Sequence, residues 1–405
     1  MSSNFKNEFD KHFNRSKNHE RRWCKDNIKQ FYELNDYDNF LNYSIADTNF
    51  KTPKPIVDTI TKIAKQQSYS YTCSIENSLD AIKTWYKQLH NIDLDLDQII
   101  LGHGTIGALI QSVQALTNVN DNILIQSPVY KPFQTVIEQN KRNVINNPLV
   151  FKNHNYEIDF IDFENKIREH NVKMFILCSP HNPSGVVWQY QVLEKIIDIC
   201  LKYNVIIVSD EVHGDIVLND KFYSLLDFKI KNNNFVVVSS PNKMFNIAGL
   251  KGSYLISKNK DILNKIKQQY LTNGFGLSNS FFQQALISAY TNKDVLIWVK
   301  EFKEYVYSNY LYLKTHFLDL YKELDYVDIK ATYLVWIKFN HISVEEFKYN
   351  LQQQNLIINL AQDFYADQTN WFRINIACPR SELIQLINRL KICLKIKLGG
   401  NNENN

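Results

Sequence analysis

Glycine is scarce in this chain: 11 residues among 405, where about 7% is average. A glycine kept under such scarcity marks a backbone conformation that other residues adopt poorly. Two lie in the terminal stretch (Gly399, Gly400), and the other nine are Gly102, Gly104, Gly107, Gly185, Gly214, Gly249, Gly252, Gly274 and Gly276. They cluster in a few loops, and those loops are where chemistry is sought. Cysteine is sparse too. Its six copies show no CxxC and no metal-ligand spacing, which reads as reduced thiols in a cytosolic protein without a metal site. No run reaches the roughly 18 apolar residues of a membrane-spanning helix. Residues 1–23 lack an apolar h-region, so no secretory signal is expected. Basic residues form no stripe, and 46 of them against 42 acidic ones is a slight excess that argues against a nucleic-acid partner. What is present is 44% hydrophobic and 13% aromatic residues. That excludes a mainly disordered chain, and the length allows one large domain with a smaller companion.

The middle of the chain repeats one pattern, a short β-branched run closed by small polar residues and followed by a helical stretch. The runs are QIILGHG (98–104), NILIQSP (122–128), MFILCSP (174–180), NVIIVSDE (204–211), FVVVSSP (235–241) and GSYLISK (252–258). Continuous apolar runs separated by helices fit the buried strands of a mostly parallel α/β sheet. Ile106, Leu109, Ile110, Val113 and Leu116 recur at helical spacing, as do apolar residues in 189–203 and 282–290. In open parallel sheets the ligand site forms beyond the carboxyl ends of the strands. Gly104, Ser127, Ser179, Asp210 and Ser240 close these runs and are expected along one edge. After about residue 290 the pattern changes to long amphipathic helices and two strand-like runs, 331–339 and 371–377. That predicts a smaller α+β domain. The first 45 or so residues contain no strand run and read as an arm or a packed helix, and the polar terminal stretch GGNNENN reads as disordered.

Each strand end carries a residue with two readings. GHGT (102–105) opens a helix, so its backbone N–H groups form an anion site, or it is simply a tight turn. Tyr130 stacks on a flat ring, or packs half-buried. Asn182, between two prolines, offers a fixed amide, or serves the turn. Asp210 ends an apolar strand and needs a partner, or caps the next helix. Lys243 follows a strand end in SSPNKMF (239–245). It is a solvated charge, or, beside an anion loop, a carboxylate and an aromatic, a lysine that forms a Schiff base.

In that order and spacing these motifs resemble fold-type I pyridoxal-phosphate enzymes of the aminotransferase class I/II superfamily, over about residues 10 to 395. Finer features are similar to the MalY/PatB-type carbon–sulfur lyases (cystathionine β-lyases). They are FNRSKNHERRW (13–23), SIADTNF (44–50), SYT (70–72) ahead of Trp85, PHNPSGVVW (180–188), SDEVHGD (209–215), NKMFNIAGL (242–250), ATYLVWIKF (331–339) and FRINIACPR (372–380). The resemblance implies an arm over 1–47 that contributes to the small domain. It implies a large cofactor-binding domain over 48–290, a C-terminal small domain over 291–397 and a tail over 398–405. It also implies roles. Lys243 holds pyridoxal 5′-phosphate and removes the substrate Cα proton, and Asp210 pairs with the pyridine nitrogen. Tyr130 stacks on the ring, and Asn182 bonds its 3′-oxygen, with His213 nearby or only structural. Gly104, Thr105 and Ile106 give N–H groups to the phosphate, aided by the Ser240 hydroxyl. Arg373 binds the substrate carboxylate. Tyr71 reaches the cofactor of a neighbouring subunit, so a homodimer is expected. The chain departs from the family pattern at Asn49, Ser70, Asn242, Leu360 and Ala361. Lys251 stands where other relatives carry a phosphate-binding arginine, or is an exposed lysine.

The implied reaction is β-elimination from L-cystathionine, a related L-cysteine S-conjugate or cysteine, giving a thiol, pyruvate and ammonia. The same cofactor residues serve transamination of an aromatic or other apolar amino acid equally well, because fold alone does not settle the reaction. A regulatory protein on this scaffold is a third reading. The DNA-reading relatives carry a winged helix ahead of the core, and about 45 residues are too few for that module and a linker.

Overall fold

The structure, a computed structural model, describes residues 6–15, 18–73, 77–230 and 233–396. The expectation for the 398–405 tail lies outside them. Seven strands form the central sheet, in the order Ile99–Gly102, Ser253–Ile256, Phe235–Ser239, Ile206–Asp210, Met174–Cys178, Asn122–Ile125 and Asn143–Asn146. Ser253–Ile256 runs antiparallel to both neighbours, and the other pairs are parallel. Six of these strands were expected. The seventh, Asn143–Asn146, has only two apolar residues between two asparagines and sits half-exposed at the sheet edge. A solvated edge strand needs no apolar run, so its sequence carries little signal.

The inner strands are apolar throughout because both faces are covered. Alternate side chains point to opposite faces. Accordingly Val236 and Val238 pack in one cluster, with Leu109 and Val113 of helix Thr105–Leu116 and Ile266 of helix Lys260–Thr272. Phe235 and Val237 pack in the other, with Leu193 and Ile196 of helix Tyr190–Lys202 and Leu286 of helix Ser280–Thr291. One retained glycine is fixed by this packing. A Cβ on Gly252 would lie 2.0 Å from Cδ2 of Phe282, inside the wall of the second cluster.

Towards the C-terminus, helix Lys293–His316 leads to a four-stranded antiparallel sheet of Leu324–Tyr326, Leu334–Phe339, Trp371–Asn375 and Asn359–Leu360. Trp336 and Trp371 stack there, 5.5 Å apart and within 10° of parallel. The first 45 residues do contain a strand, contrary to expectation. Leu41–Asn42 pairs in parallel with Leu356–Ile357. Two residues are too short to show a period, so only the tertiary partner defines them. Nearer the N-terminus, Phe9 sits edge-on to Phe50 and Trp298, at 5.0 and 5.6 Å. Arg22 is buried, donating to the Asn42 carbonyl at 2.6 Å and to Asp47 Oδ1 at 2.8 Å. These bonds bring the 44–47 segment across the sheet edge. No described helix is long and apolar enough to cross a membrane.

Candidate active site

The parallel strands end on one edge, and a cleft of about 950 Å³ opens over it. Asp210 ends its strand there, 6% exposed, with the Val212 N–H at 3.2 Å as its hydrogen-bond donor. Burial pushes its carboxyl up to about 6, against the weaker pull of that N–H and of the Lys243 charge. Lys243 lies in the short helix Asn242–Phe245, partly open to the cleft, and its Nζ donates to the Ala46 carbonyl at 2.9 Å. Desolvation lowers its pKa below the ordinary lysine value, with Asp47 pulling the other way. A lysine so placed holds more of its neutral, nucleophilic form.

Arg373 comes from the small sheet and is 4% exposed. Its Nη1 donates to Asn182 Oδ1 at 2.8 Å, and its Nη2 to Asn359 Oδ1 at 2.7 Å and to the Ser44 carbonyl. Its Nε is buried without a partner among the described residues, and burial brings its pKa down to about 10. Tyr130 and His213 also line the cleft. Burial raises the Tyr130 hydroxyl's pKa. Burial, with the charges of Lys243 and Arg373, lowers the pKa of His213 well below the usual histidine range, and its Nδ1 has no partner among the described residues.

Of the loop expected to bind an anion, Thr105 lines the cleft. Gly104 precedes helix Thr105–Leu116 with φ +75°, a left-handed conformation suited to glycine, and no side chain caps that helix. The first N–H groups, at Thr105, Ile106 and Gly107, are therefore available to an anion. Other expected residues are placed differently. The Ser240 hydroxyl donates to the Gly252 carbonyl at 2.9 Å and accepts from the Asn242 N–H, so its proton is committed within the loop. Asn242 also holds that carbonyl through Nδ2, at 2.9 Å. Lys251 is exposed in a left-handed turn and does not line the cleft. Tyr71 is fully exposed and outside the cleft of its own chain.

Sequence reasoning missed two residues of the cleft, Ala46 and Asn359, and one buried acid outside its lining, Glu211. Ala46 acts through a backbone carbonyl, which no side chain announces. Asn359 lies in an unremarkable NLIINLAQ stretch yet holds Arg373. Glu211, next to Asp210, accepts from Ser209 Oγ at 3.0 Å and the Leu225 N–H at 3.1 Å, and meets Ser224 Oγ at 2.6 Å. Burial pushes Glu211 up to about 8 from 4.5. The folded state thus holds a proton that the unfolded chain gives up, and this share of stability is full below about pH 4.5 and is lost as pH rises through 8. Glu211→Gln keeps the shape without the proton. The variant is expected to show a smaller fall in Tm between pH 5 and 8 than wild type, read by calorimetry.

The chain belongs to the aminotransferase class I and II family, which matches residues 39–390. Among characterised relatives it is similar to cystathionine beta-lyase PatB of Bacillus subtilis (strain 168), 29% identical, covering 86% of this chain and 91% of that protein. Two solved structures share the fold. One, a PLP-bound protein of Clostridium difficile 630 described as an aminotransferase, is 33% identical with a TM-score of 0.89 over 95% of this chain and 99% of its own. The other is cystalysin of Treponema denticola, containing pyridoxal 5′-phosphate, 27% identical with a TM-score of 0.88 over 96% and 98%.

The residues here fit such a group. Among the described residues the buried Asp210 carboxylate has no cation bonded to it, and a protonated ring nitrogen would supply one. An uncapped helix start suits a phosphate, and an amine of lowered pKa lies in the same cleft.

Proposed function

We propose that the protein is a pyridoxal-phosphate-dependent carbon–sulfur β-lyase, cleaving L-cystathionine or related L-cysteine S-conjugates to a thiol, pyruvate and ammonia. The observation that carries it is the convergence of Lys243, Asp210, Asn182, Tyr130 and Arg373 on one cleft, in a chain similar to a cystathionine β-lyase over 91% of that protein's length. Lys243 would hold the cofactor covalently, Asp210 its ring nitrogen, Tyr130 its face, and Asn182 its 3′-oxygen through Nδ2. The Gly104–Ile106 backbone would hold its phosphate. When bound, the cofactor supplies a sink for the electron pair left at Cα. Arg373 grips the α-carboxylate and so fixes Cα. Lys243 Nζ, released from its covalent role, takes the Cα proton. The Cβ–S bond breaks, the sulfur leaves with the pair as a thiolate and is then protonated, and water converts the three-carbon remainder to pyruvate and ammonia.

Transamination would use the same groups, and the similarity to the Clostridium protein described as an aminotransferase favours it as the second reading. Incubation with cystathionine and no keto acid separates the two. Equal pyruvate and thiol supports the lyase, and turnover only with an added keto acid supports the transferase. Arg373→Lys is expected to raise KM for amino-acid substrates roughly 10- to 100-fold, because lysine lacks the planar fork that meets carboxylate, Asn182 and Asn359 together. Cofactor content should stay at the wild-type level, and an unchanged KM would place the carboxylate elsewhere.

The working unit is proposed to be a homodimer in which Tyr71, fully exposed in the single chain, serves the neighbouring site. A cytoplasmic location is proposed from the six cysteines, all free thiols.

A further inference from the structure

The cleft does not end at the lysine. It continues past residues of helix Lys25–Phe31 and helix Val344–Gln353, which none of the cofactor and carboxylate roles above uses, and its volume of about 950 Å³ is near the top of the range for small-molecule sites. The outer part therefore has room for what the sulfur carries. Four charged residues line it: Arg21, Glu33, Lys348 and Asp363. Two are committed. Lys348 Nζ donates to Gln362 Oε1 at 3.0 Å, and Asp363 accepts from Asn359 Nδ2 at 2.9 Å and the Leu360 N–H at 3.2 Å.

Arg21 is different. Its backbone is pinned, since its carbonyl accepts from Asn27 Nδ2 at 3.0 Å and its neighbour Arg22 is buried against Asn42 and Asp47. Its guanidinium, in contrast, has no hydrogen bond or ion pair among the described residues. Tyr32 and Tyr130 also line the cleft; burial raises the pKa of both, and the Arg21 charge opposes that weakly at each, so its field reaches from the outer wall to Tyr130. An anchored backbone with five unspent donors is suited to a planar anion.

We propose that Arg21 recognises a carboxylate on the leaving thiol and so selects cysteine S-conjugates with an anionic tail. This rests on the lyase reading above. Glu33, also without a partner among the described residues, leaves room for an ammonium on the same tail, so a tail bearing both charges is accepted too.

The test compares S-propyl-, S-(2-carboxyethyl)- and S-(2-aminoethyl)-L-cysteine on wild type, Arg21→Gln and Arg21→Glu holoenzyme, following thiol and pyruvate. Arg21→Gln is expected to raise KM for the carboxyethyl substrate about tenfold and leave kcat and KM for the propyl one unchanged, which also shows that the fold is intact. Arg21→Glu should raise the carboxyethyl KM further and lower the aminoethyl KM. KM shifts equal across the three substrates, or no shift at all, would overturn the proposal. If wild type releases thiol from none of them, the lyase reading fails instead. Calorimetric Kd values for the same compounds and variants then test the subsite alone, with the same ordering expected and a uniform shift counting against it.

Discussion

Lys243→Ala is expected to lose nearly all turnover, by roughly 10⁴-fold or more, because one side chain is assigned both the covalent hold on the cofactor and the Cα base. The structural cost of the change is small. Among the described residues its side chain makes one hydrogen bond, to the Ala46 carbonyl, and its ammonium is disfavoured by desolvation, so removing it leaves only that carbonyl without its donor. Thermal melting near the wild-type value would show that the loss is chemical. A second readout does not depend on rate. Borohydride reduction followed by peptide mass mapping should find the cofactor's mass on the Lys243 peptide of wild type and nowhere in the variant. Turnover within tenfold of wild type, or a label on another lysine, would remove Lys243 from the mechanism.

That lysine was legible in the sequence for a physical reason. The strands of the large sheet are covered on both faces, so they read as unbroken β-branched runs, and each polar residue that ends a run is by topology at the ligand edge. Asp210 ends such a run, and Asn182 and Lys243 come a few residues after one, so the rule pointed to that edge while the family resemblance supplied their roles. Arg373 does not, since it sits in the middle of an apolar strand of the small sheet, and only family resemblance singled it out. The outer cleft was illegible. Residues 21–34 and 348–363 are more than 300 positions apart and meet only through packing, such as the two-residue ladder of Leu41–Asn42 on Leu356–Ile357. The assignment of the Ser240 hydroxyl to the phosphate came from the family resemblance. A resemblance in motif does not show that the Gly252 carbonyl, presented where the chain turns into the antiparallel strand Ser253–Ile256, takes its proton.

Asp210→Ala is the other change with a large expected effect, a fall in kcat of roughly 10²- to 10³-fold with the covalent label on Lys243 retained. A carboxylate in a water-poor site stabilises positive charge on the ring nitrogen, and losing one such preorganised group costs about that much. Its pH behaviour makes the assignment sharper. Without a cation, burial sets the carboxyl at about 6, so below that pH the cofactor-free protein carries a neutral acid there. A positive ring nitrogen beside it favours the charged form and pulls the pKa down by about one to three units. Binding therefore has to expel a proton at low pH, and affinity should fall as pH drops through 6. The cofactor's own phosphate also titrates in that region, so the measurement is a comparison. Dissociation constants for pyridoxal phosphate between pH 5 and 8 should weaken more steeply towards acid in wild type than in Asp210→Asn, which carries no titrating group at this position. Parallel curves, with kcat within a few-fold of wild type in Asp210→Ala, would leave Asp210 with no role beyond accepting the Val212 N–H.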